Sequence, residues 1–578
     1  MHDLLISNGT IIDGSGDEPY TGDVAIRQGR IAGVGTPGSQ GDDAAEVIDA
    51  TGLVVTPGFV DIHSHYDGQV TWDPYLTPSC WHGVTTVVMG NCGVGFAPVY
   101  EDKRRWLVEL MEGVEDIPGA ALTAGMQWGW ETFPEYLDYI AALPHVMDVG
   151  AQIAHGPLRA YVMGERGARN EPATAEDIAH MAAIVKDAIA AGALGFTTSR
   201  TMLHKALDGT PVPGTFANED ELFGIGQALA ELDAGLYEVS PSGIASENDT
   251  AFPEEVAWMR RLAKSINRPV TFGMTQSNGA PRMYRDVLAE AAAAAAEGAT
   301  VVPQVAGRAS GLLFGLDTTY HPFQGRATYA AMAHLPASEK LARLRDPAVR
   351  AAILSEVDER GGYSLLERMA ERIWPFTDDV DYEPPLDEGV GHIAAQTGRS
   401  PAEVLYEMIV ARDPDALFMI PVNNYADNTF DAIREMIVHP NAVLGLADGG
   451  AHCAIICDAS IPTTMITHWT RDRTRGEKLP LPFVIKRQTR DTAALYGLRD
   501  RGLLAPGYKA DVNVIDYAGL RLRKPEMAYD LPGGAKRLVQ RADGYVATIV
   551  HGEVVLRDGE VTGSLPGRVL RGAQPDPA

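Results

Sequence analysis

Residues 58–67 read G-F-V-D-I-H-S-H-Y-D, directly after the β-rich run L-V-V-T-P at 53–57. Side chains at i and i+2 of a strand project from the same face. His63 and His65 therefore leave one side of a strand end together, with Asp61 and Asp67 flanking them. Both imidazoles can reach one cation at the usual zinc–nitrogen distance of about 2.0–2.1 Å. Taken alone, such a pair is more often structural, so its surroundings decide.

Downstream, short β-branched runs alternate with Ala-rich ones. The predicted strands are T-T-V-V-M (85–89), V-G-A-Q-I-A (149–154), G-A-L-G-F-T-T-S (192–199), G-L-Y-E-V-S (235–240), P-V-T-F-G-M-T (269–275) and A-V-L-G-L-A-D (442–448). Helical stretches lie between them, among them 175–192, which closes on a glycine suited to a helix C-cap. Repeated βα units over 57–499 predict a (β/α)₈ barrel, an α/β fold whose active site lies at the C-terminal strand ends. Segment 283–418 is long for one unit, and a helical insertion over the barrel mouth is expected within it. The two ends of the chain, 1–56 and 500–565, are β-rich and turn-rich, predicting one small β-sandwich domain built from both. Asn8-Gly9 and His551-Gly552 are read as hairpin turns between short strands, with a further turn at Gly29.

The bulk properties exclude several classes. There are 578 residues with 77 acidic and 48 basic side chains, a formal net charge of −29. That argues against nucleic acid and anionic membrane surfaces as partners. Four cysteines are too few for a disulfide scaffold and fit a reducing compartment. No run of about 18 apolar residues predicts a membrane helix. M-H-D-L-L-I-S-N-G-T lacks the basic-then-apolar order of a secretion signal, so a cytoplasmic location is expected.

Polar residues at strand ends carry the chemistry. Cys92, in G-N-C-G after the second strand, can approach a cation closely as a thiolate, although a buried thiol is the commoner fate. Asp448 ends L-G-L-A-D before Gly449 and Gly450. An aspartate there is ordinarily a turn former. At a mouth already holding two histidines it could bind metal and take a proton from water. The aromatic stretch W-D-P-Y-L-T-P-S-C-W-H-G (72–83) either caps the barrel or walls an apolar pocket.

Together and in this order, these stretches resemble the amidohydrolase superfamily of metal-dependent hydrolases, and more narrowly its D-aminoacylase (N-acyl-D-amino-acid deacylase) branch. N-G-T-I-I-D-G, P-G-F-V-D-I-H-S-H-Y-D, G-V-T-T-V-V-M-G-N-C-G, A-H-G-P-L-R, G-A-L-G-F-T-T-S and L-L-A-P-G-Y-K-A-D-V-N-V-I-D carry the likeness over nearly the whole chain. It implies a barrel with a small β-sandwich and amide hydrolysis at zinc; departures from the branch's pattern widen the metal to manganese or iron as alternatives. It makes His63, His65, Cys92 and Asp448 the metal ligands, and Asp448 also the catalytic acid–base. The substrate implied is a small N-acyl-D-amino acid or a related N-acyl compound.

The pattern also departs from that branch. Ser240 stands where a fifth-strand histidine is expected, and Gln276 or Ser277 where a sixth-strand one is. One ion is therefore favoured over two. Pro241 and Ser242 replace the stretch that would carry a substrate-gripping arginine. His155, Arg200, His204, Gln276, Arg308 and His452 are the candidate substrate-binding residues in its place. Cyclic-amide hydrolysis, deamination, decarboxylation and a non-catalytic scaffold remain as alternatives, and barrels of this kind often form homo-oligomers.

Overall fold

The computed structural model describes residues 1–41, 43–244, 247–248, 251–359 and 369–577. Among these, eight short strands run parallel around a barrel: β1 (Phe59–Asp61), β2 (Val84–Met89), β3 in two pieces (Asp148–Ala151 and Ile153–Ala154), β4 (Gly195–Ser199), β5 (Leu236–Ser240), β6 (Val270–Met274), β7 (Val301–Val305) and β8 (Val443–Leu444). Strands β4 and β5 pair in step from Gly195↔Leu236 to Ser199↔Ser240. The joint between β8 and β1 is made just past both strands. A parallel bridge links Ser64 to Gly449, His65 N–H donates to Gly449 O at 2.7 Å, and Asp448 N–H donates to His63 O at 3.0 Å. The backbone of the H-S-H stretch thus closes the barrel.

Strand residues facing the helices are apolar and fully buried, among them Val87, Phe196, Val239, Phe272 and Val305. Each such side chain contributes about 1.5–3 kcal/mol by leaving water. The helix Ala175–Ala191 starts on a capping box, with Thr174 and Asp177 bonding each other's backbone, and stops at Gly192 with φ of 115°. It matches the sequence expectation for 175–192.

The β-rich ends share one nine-stranded sheet. Val54–Pro57 lies between them, parallel to His2–Ile11 and antiparallel to Val512–Ile515, and the chain passes from it into β1. Leu4, Ile6, Val24, Val514 and Ile549 pack in that sheet's own apolar cluster. Turns at Gly29 and His551-Gly552 stand where expected. Asn8-Gly9 does not turn the chain: it is a bulge inside the single strand His2–Ile11. Asn8 takes φ of 60°, and a Cβ on Gly9 would meet Val55 at 2.5 Å. The pair supplies the left-handed backbone a bulge needs as readily as that of a turn.

The long segment after β6 is more mixed than a helical insertion. Its first part is regular barrel, the helix Met283–Ala296 followed by β7. The remainder contains helices such as Ala337–Leu344 and Pro401–Val410, and also an antiparallel sheet of Gly311–Phe314, Trp374–Phe376 and Leu417–Pro421. Much of it has an apolar cluster of its own, including Phe314, Tyr406 and Phe418. No helix among the described residues is long and apolar enough to cross a membrane.

Candidate metal centre and active site

His63 follows β1, its N–H donating to Asp61 Oδ1 at 3.0 Å. Its Nδ1 lies 3.0 Å from Gln304 Oε1 on β7. With that oxygen accepting, Nδ1 carries the proton and Nε2 keeps its lone pair. Nε2 sits 3.3 Å from Cys92 Sγ and 3.5 Å from Asp448 Oδ1. His65 Nε2 lies 3.7 Å from that same carboxylate oxygen, and its Nδ1 3.5 Å from Oε1 of Glu115. Glu115 is the last residue of the helix α1 (Arg104–Glu115).

Cys92 reaches the cluster from a left-handed backbone, φ 58°. Its N–H donates to Glu238 Oε2 at 3.1 Å, and the next N–H, on Gly93, donates to Thr197 Oγ1 at 3.2 Å. Asp448, with φ of 46°, points its carboxylate toward the imidazoles while its side chain stays 23% exposed. Among the described residues, His63, His65 and Cys92 form a buried group whose donor atoms lie close enough to share a metal ion.

The spacing fits an ion. In a tetrahedron with the usual zinc–nitrogen, zinc–oxygen and zinc–sulfur lengths, neighbouring ligand atoms stand about 3.3–3.6 Å apart. Around His63 Nε2 the separations to Cys92 Sγ and Asp448 Oδ1 are 3.3 and 3.5 Å, within that range, and His65 Nε2 stands slightly farther from the same oxygen at 3.7 Å. The two nitrogen–oxygen contacts are too long for hydrogen bonds, so these groups converge without satisfying one another. Buried His65 Nδ1 and Glu115 Oε1 have no hydrogen-bond partner.

Electrostatics point the same way. Burial pulls His65 down, but Glu115, Asp448 and Asp67 outweigh it and hold the imidazole up at about 9. His63 is dragged down to about 4, chiefly by burial. Burial would raise Asp448, yet His65, His63 and His452 keep it well below the usual carboxylate range. Burial pushes the Cys92 thiol up. Asp61 and Asp67 are driven up to about 7 and Glu238 to about 8, burial being the main cause in each. Such a concentration of carboxyl groups calls for a positive charge in their midst, which a divalent cation supplies.

The candidate substrate residues divide. His204 and His452 come to the site. His204 Nδ1 pairs with Ser199 Oγ at 2.9 Å, and burial, with His452 and His65 nearby, presses it down to about 3. His452 Nε2 lies 3.7 Å from Glu115 Oε2, and its N–H donates to Glu115 O.

The other four have their polar atoms engaged elsewhere. His155 is fully buried between Thr198 Oγ1 at 2.9 Å and Glu221 Oε1 at 3.0 Å. Arg200 pairs with Glu255 at 3.2 Å and donates to Ala217 O at 2.6 Å. Gln276 bonds Pro281 O, Asp427 and Ala426 N–H, tying loops together two residues beyond the buried end of β6 at Met274. Arg308 is fully buried, lies 3.6 Å from the centre of the Tyr382 ring and donates to Asp458, Ser460, Thr464 and Cys457 O. These four are corrected to structural posts, because other protein groups hold most of their polar atoms, although the buried Arg308 Nε lacks a partner. Ser240 does stand at the buried end of β5.

Sequence reasoning missed Glu115, Glu238 and Gln304. Gln304 lies in T-V-V-P-Q-V, a β-branched run hidden within the segment expected to be helical. Glu115 ends a helix, outside the strand-end rule. Glu238 sits two residues before a strand end, where the alternation of faces places it on the same side as Ser240.

A small pocket lies beside Asp448, with Gln69, His82, Asp458, Arg537 and Gln540 among its walls. A barrel with imidazole, thiol and carboxylate converging at its mouth defines the class of metal-site hydrolase barrels. The chain belongs to the amidohydrolase family, whose profile matches residues 46–556, and it is accordingly a hydrolase. It is 27% identical to the N-acyl-D-aspartate deacylase of Alcaligenes xylosoxydans xylosoxydans over 578 residues, covering 98% of this chain and 95% of that one. The crystal structure of a D-aminoacylase superposes with a TM-score of 0.65 at 24% identity, over 99% of this chain and 100% of that one. An N-acyl-D-glutamate deacylase from Bordetella bronchiseptica, complexed with zinc and a phosphonate inhibitor, gives the same TM-score at 22% identity, over 99% of both chains. The likeness to these structures is one of fold.

Proposed function

We propose that this hydrolase deacylates N-acyl-D-amino acids, using one divalent ion, zinc first, held by His63 Nε2, His65, Cys92 Sγ and Asp448 Oδ1. The observation that carries the reading is the convergence of these donors at the barrel mouth, with His63 Nε2 lying 3.3 Å from Cys92 Sγ and 3.5 Å from Asp448 Oδ1. The D-amino-acid side of the substrate comes from the named activities of the relatives. When bound, the ion would supply Lewis acidity toward the acyl carbonyl and lower the pKa of water beside it.

The chain's own groups do the rest. Gln304 holds His63 with Nδ1 protonated and Nε2 facing the site. Glu115, its Oε1 3.5 Å from His65 Nδ1, stands as a carboxylate behind the second ligand histidine. Asp448, kept ionised by its imidazole neighbours, accepts the proton of the attacking water and returns it to the departing nitrogen. His204 and His452 stand around the carboxylate at the mouth, where they orient the substrate. Tyr66 and the buried loop 62–67 keep bulk water out from below.

The test is to load the purified protein with Zn²⁺, Mn²⁺ or Fe²⁺ and assay a panel of N-acyl-D- and N-acyl-L-amino acids. Metal-dependent release of the free D-amino acid, with about one ion bound per chain, supports the reading. Metal-loaded protein inert to the whole panel would sink it.

A further inference from the structure

We propose that Arg537 recognises the carboxylate of the substrate, with Asp530 holding its place until the substrate arrives. The inference rests on the N-acyl amino acid reading above and deepens it by assigning the acid group a binding partner.

A substrate of that class brings a negative charge into a mouth already rich in carboxylates. Asp448 and Asp458 both line the pocket, with Glu115 close behind. With the proposed ion facing the acyl carbonyl, the acid group of the substrate needs a cation of its own. Among the described residues that line the pocket, Arg537 carries the only lysine or arginine charge. His82 lines it too, but burial drives that ring down to about 3, and both its nitrogens are taken by Thr463 and Gln540 O.

Arg537 comes from the hairpin Glu526–Leu531 and Ala535–Val539. That hairpin is fixed to the loop after β8 by Leu538 N–H donating to Cys453 O at 2.5 Å. It is therefore tied to the loop that carries Asp448, although it lies nearly a hundred residues downstream. Nε and Nη2 donate in a fork to Asp530 at 2.8 Å each, while Nη1 and Nη2 also donate to Thr77 O at 2.9 Å and Thr77 Oγ1 at 2.7 Å. A guanidinium has five N–H donors, so one on Nη1 is left over.

The other arginine near the site is sealed. Arg308 and Asp458 form a pair with side-chain exposures of 0% and 2%, so neither can change partner without leaving a buried charge behind. Asp530 is 45% exposed while Arg537 is 7% exposed. Its carboxylate can turn into water and leave a planar fork of the right shape for an incoming carboxylate. Asp448 and Arg537 line the same pocket, so a ligand entering it faces both side chains.

The experiment compares N-acyl-D-amino acids with their carboxamides, on holoenzyme and on Arg537→Gln, Arg537→Lys and Asp530→Asn, with melting temperatures to certify folding. Calorimetric titration with the same acids runs alongside and needs no turnover. Arg537→Gln is expected to lower the ratio of kcat/KM for acid over amide about 10- to 100-fold, mostly through KM, and to weaken acid binding by a similar factor. Arg537→Lys recovers part of that ratio, and Asp530→Asn lowers KM for the acid. A folded Arg537→Gln that keeps the wild-type ratio and the wild-type acid affinity overturns the assignment and leaves the deacylase reading standing. Holoenzyme inert to both acid and amide sinks the deacylase reading instead, and titration still shows whether carboxylates bind through Arg537.

Discussion

Gln304 Oε1 and His63 Nδ1 face each other at 3.0 Å across the barrel interior, β7 to β1. The contact decides which imidazole nitrogen meets the cation. Gln304→Leu removes the acceptor while keeping the bulk, so His63 loses its fixed tautomer. Metal affinity should fall about 10- to 100-fold, read by chelator competition. Wild-type affinity in the variant would mean the contact does not orient the ring.

Cys92 is a ligand in the proposed site and not merely a small core residue. Cobalt-substituted protein should show a near-ultraviolet sulfur-to-metal charge-transfer band. Cys92→Ser should lose the band while the visible ligand-field bands persist. A spectrum indifferent to the substitution would remove the thiol from the coordination set.

Asp448→Asn keeps the shape of the side chain and removes its basicity. A loss of about 10²- to 10⁴-fold in kcat is expected on the best N-acyl substrate. Metal content is measured on the same samples, since Asp448 Oδ1 is also a donor. A kcat within a few-fold of wild type would show that the proton goes elsewhere.

Acid stability has a local source at Glu221. Burial opposes its ionisation, but His155 and Arg159 outweigh burial and hold it down at about 2, against an ordinary 4.5. Because the folded value lies below the unfolded one, the stabilisation is full above about pH 4.5 and is lost as pH falls through about 2. Glu221→Gln should therefore cost about 3 kcal/mol near neutral pH, with the gap to wild type narrowing below pH 4.5. Urea titrations at pH 7, 4 and 3 test this, and a gap that stays constant with pH would rule the pair out as its origin.

Much of the barrel was legible because its strands are β-branched runs at regular intervals, and the strand-end rule then picked out His63, Cys92 and Asp448. The rule misjudged Arg200 and Arg308, because nothing local to them announces Glu255 or Asp458 as their partners. It missed Gln304 for the opposite reason. Its strand is as β-branched as the others, but it lies beside the alanine run 291–296, which dominated the reading of that region. Asn8-Gly9 shows a third limit. A left-handed dipeptide marks a local backbone shape, and only the partner strand determines whether that shape turns the chain or merely kinks it.

The seam that closes the barrel, His65 N–H to Gly449 O and Asp448 N–H to His63 O, is made of peptide groups, while the chemistry at the same positions is made of side chains. The two can be altered independently. Exchanging an imidazole or the carboxylate therefore leaves the mechanical joint in place. Ser240 and Gln276, standing where the resemblance leads one to expect imidazoles, leave the barrel's hoop intact.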